Sequence, residues 1–517
     1  MSDDFRGLWS RRQLLRRAGL LGGAAVGGSV LAACGGQSLD NDTQRPQPTS
    51  TFGDPRNGQR FDVELTPLGD EFVAPIFGWY GDRLHQESGI RLAKTISYPS
   101  YGEAQAVLPQ IIGGRTPPFN LMTYASLFFG DVVASGAPEP LDGYLENFDG
   151  YEQYRTDVSP VFEFFTRFQD QTYGLMADGD VLMLHYRPSY FEDDQHRNAF
   201  ESRFGRELAI PETWQDYVEV AEYFTDALQG QGVYGTQVFA DRSYAWAFFF
   251  NIAASNGVRY FSEDMEPLVN SPEAVEALDL YKRMQELSPP GAETFGGDET
   301  IGNWQQGRVV MTPWWQDLRE FSARANAEIG TDVNNAVLPG WEGASRRAMV
   351  CFNRTFSVPR NQSDEQKAAA AYVVYRLSHP DYSIHSCADP LLGIDPYMAA
   401  HFSDEAAAAY TQPNPLREGT EENVAIFQTV DQARDHLKGI SESIAVGFPQ
   451  PTWPGTPEYV EVLGTEIQSC LAGAKTSKQA LDDAASRWAD LVERRGREQQ
   501  MEFYADFSET AERLGLY

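Results

Sequence analysis

The sequence predicts an α/β protein of two lobes joined by a crossover, with a cleft between them. Three observations carry this expectation. The chain is 517 residues and 57.7 kDa, 42% hydrophobic and 13% aromatic, so it folds and divides into two or more domains. Segments that read alternately as strand and helix lie on both sides of Tyr173–Glu192. That stretch, YGLMADGDVLMLHYRPSYFE, is itself an acidic turn (Asp178, Gly179, Asp180), an apolar run (Val181–Tyr186) and a basic turn. A run too short for a helix, bounded by Gly and Pro, reads as a buried strand. Its place makes it the crossover between the lobes, with Asp178 and Asp180 at the mouth of the cleft.

In chain order, residues 1–33 read as an address. Ser10–Arg16 (SRRQLLR) fits the twin-arginine export pattern. The Gly/Ala-rich stretch Ala18–Ala33 falls short of the ~20 residues a spanning helix needs. It ends in Leu31-Ala32-Ala33-Cys34, which looks like a bacterial lipobox with Cys34 as the acylated residue. Twin Arg, apolar region and lipobox in this order set aside an ordinary signal peptide or an uncleaved start. Residues 34–58, polar and rich in Gly, Pro, Ser and Thr, read as a flexible linker.

Phe61–Pro67 reads as the first strand. A helix from Gly69-Asp70 to about Ser88, a strand Ile90–Ser97, a helix Gly102–Ile112 and a strand Asn120–Tyr124 follow, at the spacing of βαβ units in a largely parallel sheet. Beyond the crossover, Pro211-Glu212-Thr213-Trp214 opens a helix with Pro, an acid and a capping Thr. Tyr234-Gly235 begins a strand, and Ser243–Ser255 is a helix with Tyr244 and Trp246 at its start. Residues 303–317 (NWQQGRVVMTPWWQD) close a helix and run into a strand. A strand through Met349–Val358 returns the chain to the first lobe, and helices occupy Ala368–Leu377 and much of 451–485.

The net charge is −33, and losing residues 1–33, with five Arg and two Asp, takes it to −36. So acidic a surface, with no basic run, excludes nucleic acid as a partner. Scarce Lys and abundant acid hint at a salt-loving source. With Cys34 acylated, Cys351, Cys387 and Cys470 remain, an odd number at no metal-like spacing. They read as isolated buried thiols, with one bridge left open.

These segments resemble, in order, the family 1 extracellular solute-binding proteins of ABC importers, of the sugar-binding type. At the hinge that family carries YGLP-x-D-x-D, a strand and YR/N-x-x-x-F. The resemblance continues through GGRTPPFNLMTYASLFFGDVVASGAPEPLDGY (residues 113–144), departing at Phe119-Asn120 and at Tyr124, where the family has Asp and often Trp. It extends through P-x-TW at 211–214, the helix VNSPEAVEAL at 269–278, the G-x-x-x-M segment before Trp314, and the closing helices, spanning residues 60–490. Where the family has Gly-Gly-Trp, this chain reads Cys351-Phe352-Asn353-Arg354, placing an amide and a cation where a stacking ring is usual.

The resemblance implies a two-lobed periplasmic-binding-protein-like (type II) fold. It divides as 59–182 plus 345–400 for the N-terminal lobe and 183–344 plus 401–517 for the C-terminal lobe. It implies a monomer that captures a mono- or oligosaccharide and delivers it to an ABC permease from a lipid anchor on the outer face of the cytoplasmic membrane. No catalysis, cofactor or metal is expected. Sugar recognition takes flat apolar faces for ring C–H groups and acids or amides for hydroxyls. The resemblance puts these at Tyr124 and Ser126, at Asp180 with Asp178 close by, at Trp246 or Tyr244, at Trp314 and Trp315 with Asp317, and at Tyr459. Arg354 reads equally as a ligand contact or a salt bridge between lobes, and Asp178 as a contact or a turn cap.

Enzyme motifs are missing. The seven His residues form no HExxH pair, and no G-x-S-x-G, Walker or GxGxxG segment occurs. Asp178 and Asp180, two apart on an extended segment, stand side by side and not across a substrate as a glycosidase pair would. The alternatives are a binding protein for another polyol, glycerol phosphate or a peptide, a secreted carbohydrate-processing enzyme, and a sensor that presents its ligand to a receptor.

Overall fold

The computed structural model describes residues 52–58, 60–98, 111, 117–325, 330–417 and 423–517. The export segment, Cys34 and all but the last residues of the linker lie outside them, as does the expected helix 102–112 apart from Ile111.

Two separate sheets flank the crossover. The first has five strands in the order Ile96–Tyr98, Pro67–Asp70, Leu121–Ala125, Arg354–Ser357, Leu175–Asp178. Pro67–Asp70 runs parallel to both of its neighbours, as βαβ connections require. Arg354–Ser357, returning from the far side of the hinge, pairs antiparallel with Leu121–Ala125 and with Leu175–Asp178. The sheet is therefore mixed where the sequence suggested a largely parallel one, because strands that cross between lobes enter from the opposite end.

The second sheet has three strands, with Leu182–Tyr186 between Met311–Trp315 and Asn334–Ala336, antiparallel to both. Leu182, Met183 and Leu184 have no exposed surface, which is why this run is apolar on both faces. His185, equally buried, holds the Trp315 carbonyl at 2.8 Å, and burial pushes its pKa down to about 3, so the ring is neutral. A two-stranded parallel ladder, Ala348–Val350 on Gly447–Pro449, lies on the return path.

Local chemistry sets the boundaries. Thr213 Oγ1 accepts the Asp216 N–H at 3.0 Å and starts the helix Trp214–Ala227 where the capping residue was expected. The helix expected from Gly69 begins later, as Ala74–Trp79 and Gly81–Ser88, because Asp70 ends a strand. Ile90–Ser97 is two short strands, Arg91–Leu92 and Ile96–Tyr98, and Tyr234 forms a single bridge to Val309. The expected strand 349–358 is broken at residues 351–353, where Phe352 takes φ 70°. A last helix, Arg497–Arg513, was not foreseen. Cys351, Cys387 and Cys470 are free and buried. No helix among the described residues is long and apolar enough to cross a membrane.

Candidate functional site

The two sheets meet at a buried charge cluster centred on Arg354, the first residue of its strand. Its Nε donates to Asp70 Oδ2 at 2.7 Å, and its Nη1 donates to Asp178 Oδ2 and, at 3.2 Å, to Asp180 Oδ2. The guanidinium also lies 4.8 Å from the centre of the Phe72 ring. Asp70 and Asp178 end the second and fifth strands of the first sheet, Asp180 follows directly and Arg354 opens the fourth, so Arg354 ties together one end of that sheet and not two lobes. Asp178 and Asp180 are buried, not placed at a rim.

A second backbone closes on the acidic turn. Gly179 N–H donates to the Asp395 carbonyl at 3.1 Å, and Asp395 N–H donates to Asp178 Oδ1 at 2.8 Å. A Cβ on Gly179 would come within 2.4 Å of the Pro396 oxygen, so only glycine admits this approach. The result brings the Asp395 side chain beside Asp178 and Asp180. On the other side, Gln316 clamps the turn: its Oε1 accepts the Val181 N–H at 2.8 Å and its Nε2 donates to the Gly179 carbonyl at 3.1 Å. Asn353 Nδ2 donates to the Asp180 carbonyl at 2.9 Å.

Burial dominates the electrostatics. It raises the pKa of Asp178, Asp180 and Asp395, and the last two are pushed further by neighbouring carboxylates. Asp317, which accepts the Trp314 Nε1–H at 3.2 Å, is driven up to about 7, first by burial and then by Asp178.

An aromatic wall from the second sheet and its helices faces this cluster. Trp314 and Trp315 stand perpendicular with ring centres 5.2 Å apart. Phe352 packs on Tyr244 at 4.8 Å, Trp315 at 5.4 Å and Trp246 at 5.7 Å. Trp315 Nε1 donates to the Cys351 carbonyl at 3.3 Å, joining the wall to the broken strand. Tyr244 is only partly buried and feels the charges of both Arg354 and Asp180.

The structure thus gathers Asp178, Asp180, Asp317, Arg354, Trp246, Trp314 and Trp315 in one region. Tyr124 and Ser126 lie on and just after the central strand of the first sheet, their hydroxyls 3.0 Å from those of Ser357 and Thr355. Tyr459 stands apart, in the C-terminal helical core, donating to Gln500 at 2.9 Å and packed edge-to-face against Phe261 and Trp488. Three participants had no role at the site in the sequence reading: Asp70, taken for a helix start, Phe352, noted only within the departure at 351–354, and Asp395, whose surroundings in sequence carry no motif.

Residues 94–381 match the family model described as "Bacterial extracellular solute-binding protein". In structure, the chain is similar to an ABC transporter solute-binding protein from Agrobacterium radiobacter in complex with ribitol, with TM-score 0.66, 20% identity and coverage of 84% of this chain and 100% of that one. It is similar to the maltose-bound T. maritima MalE3 (TM-score 0.65, 18% identity, 83% and 100% covered). A solute-binding protein from Thermotoga lettingae bound to α-D-tagatose superposes with TM-score 0.61 at 17% identity, covering 83% of this chain and 100% of that one. These likenesses establish the two-lobed periplasmic-binding-protein-like fold.

Proposed function

The chain belongs to the bacterial extracellular solute-binding proteins, and we propose that it captures a mono- or oligosaccharide, or a related polyol, and passes it to an ABC permease. The observation that carries this reading is the meeting of a carboxylate array (Asp180, Asp317) with a wall of Trp and Tyr rings across the junction of the two sheets. Acids accept hydroxyl hydrogen bonds and rings cover C–H faces, the pairing that polyhydroxylated ligands require. The ribitol, maltose and tagatose of the structural neighbours belong to the same chemical class. Arg354, already held by three aspartates, fixes the array in place and does not stand ready for an anion. The excess of buried acid argues against glycerol phosphate.

In this reading Asp180, Asp317, Trp314, Trp315 and Tyr244 or Trp246 touch ligand, Asp178 and Arg354 set their positions, and the lobes 59–182 plus 345–400 and 183–344 plus 401–517 close by hinge bending. Tyr124 and Ser126 shape the first lobe's floor, and Tyr459 supports the closing helix. The protein carries out no covalent chemistry. Export by the twin-arginine route and acylation at Cys34 would hold it, as a monomer, beside its permease at a high local concentration.

The test is a thermal-shift screen of the purified protein against sugars, polyols and sugar phosphates, with the recovered ligand weighed by mass spectrometry. A ligand at about 100 times its Kd adds about 2.7 kcal/mol to the native state, a rise of a few degrees. One neutral sugar or polyol should give that rise and come back intact, while sugar phosphates give none. Recovery of a cleaved sugar would mean an enzyme.

A further inference from the structure

We propose that the protein holds one hard divalent cation, of calcium's size, between the carboxylates of Asp178, Asp180 and Asp395. Among the described residues, one oxygen from each of these side chains lies within 4.8 Å of the others, and all three residues are buried. Calcium–oxygen distances of about 2.3–2.6 Å allow oxygens up to about 4.6–5.2 Å apart to share one ion, and the three carboxylates fall within that reach. Magnesium demands a near-ideal octahedron and keeps several waters, which a buried three-carboxylate site does not offer.

The charge balance points the same way. The one guanidinium at the centre is shared by Asp70, Asp178 and Asp180. Asp395 is left over: it is 1% exposed, its Oδ2 accepts no hydrogen bond, and the charged neighbours that act on it most are Asp180, Asp178, Asp317 and Glu320, all acids. Its one side-chain hydrogen-bond partner is itself an acid, Asp180, and a buried carboxylate set only among acids is costly enough that it takes up a counter-ion or a proton. Asn353 supplies a second orphan beside the turn, a fully buried Oδ1 with no donor, on the side chain whose amide holds the Asp180 carbonyl. Neutral oxygen acceptors of this kind complete calcium shells.

The site is also built, not incidental. Gly179 lets the 395–397 segment approach, and the reciprocal Gly179–Asp395 and Asp395–Asp178 hydrogen bonds fix the third carboxylate against the other two. Its place beside Asp180 and next to the strand that crosses between the sheets would make the ion a brace for the hinge. The proposal rests on this geometry and not on the identity of the transported solute.

The experiment is calorimetric titration of the chelator-treated protein with Ca2+ and then Mg2+, in about 2 M KCl to screen the acidic surface. One saturable equivalent of Ca2+, favoured over Mg2+ and accompanied by a higher Tm, is expected. Asp395→Asn should weaken it about tenfold or more, while Glu498→Gln, at an exposed acid, changes nothing. Should Asp395→Asn fail to fold, crystals of the unaltered protein soaked in Mn2+ or Tb3+ give the second reading, an anomalous peak between the three carboxylates. No stoichiometric binding, an Asp395→Asn protein that binds as the parent does, or a peak elsewhere overturns the proposal and leaves a shared proton as the cluster's counter-charge.

Discussion

Replacing Arg354 by Met keeps most of its bulk but leaves Asp70, Asp178 and Asp180 buried without their common cation. Breaking a buried pair from one side costs about 3–5 kcal/mol, so Arg354→Met should lower the Tm measured at about pH 8 by several degrees. The deficit should shrink toward pH 5, because protonated carboxyls no longer need the guanidinium. An unchanged Tm at pH 8 would mean the cluster is neutralised by something other than Arg354. Asp317 behaves oppositely. Its folded pKa of about 7 lies above the ordinary 3.8, so the native state binds this proton more tightly than the unfolded chain. Stability from that proton is present at acid pH and falls as pH rises from about 4 through 7. Asp317→Asn keeps an oxygen for the Trp314 N–H and removes the ionisation. It should match the parent's Tm near pH 5 and exceed it by about 2 °C or more near pH 8. A lower Tm at pH 8 would show that the Asp317 charge is compensated.

At the scale of elements, the turn 178–180 is where two chain segments and a side chain compete for the same space. Gly179→Ala would push a methyl into the Pro396 oxygen, 2.4 Å away, and should cost about 2–4 kcal/mol by forcing the 395–397 segment off the turn. Chemical denaturation reads this directly, and a cost under ~0.5 kcal/mol would mean the segment yields freely. The same turn shows what can be read from sequence. The buried strand after it, the Thr213 cap and the Met311–Trp315 strand were legible because periodicity, capping and turn chemistry act over a few residues. Asp70 was misplaced for an instructive reason: its Oδ1 does accept the N–H groups of Phe72 and Val73, as a helix-start aspartate would. Its Oδ2 meanwhile meets Arg354, 284 positions away, a partnership that local pattern does not carry. Asp395 meets Asp178 across 217 positions for the same reason. The departure at Cys351–Arg354 from the family's Gly-Gly-Trp did signal a changed centre. That Phe352 would keep a φ of 70°, suited to glycine, and become the hub of the aromatic wall depended on packing.

The whole molecule sets buried charge apart from surface charge, and salt separates the two. A net charge of −33 repels itself across the surface, and screening with a Debye length of about 10 Å at 0.1 M salt and a few ångströms above 1 M relieves that repulsion. The Tm should therefore rise by about 5 °C or more between ~0.1 M and ~2 M KCl. Choline chloride should act alike if screening is the cause, whereas an effect confined to strongly excluded salts such as sulfate would trace it to apolar burial. The Arg354 cluster lies beneath this surface, with side chains between 0% and 9% exposed, where the diffuse salt atmosphere screens charge weakly. Its contribution should consequently be blind to salt: the parent and Arg354→Met should both gain stability with KCl while the gap between them stays constant. A gap that closes at high salt would place Arg354 within reach of solvent ions, and would mean that the two sheets open at their junction far enough to let electrolyte in.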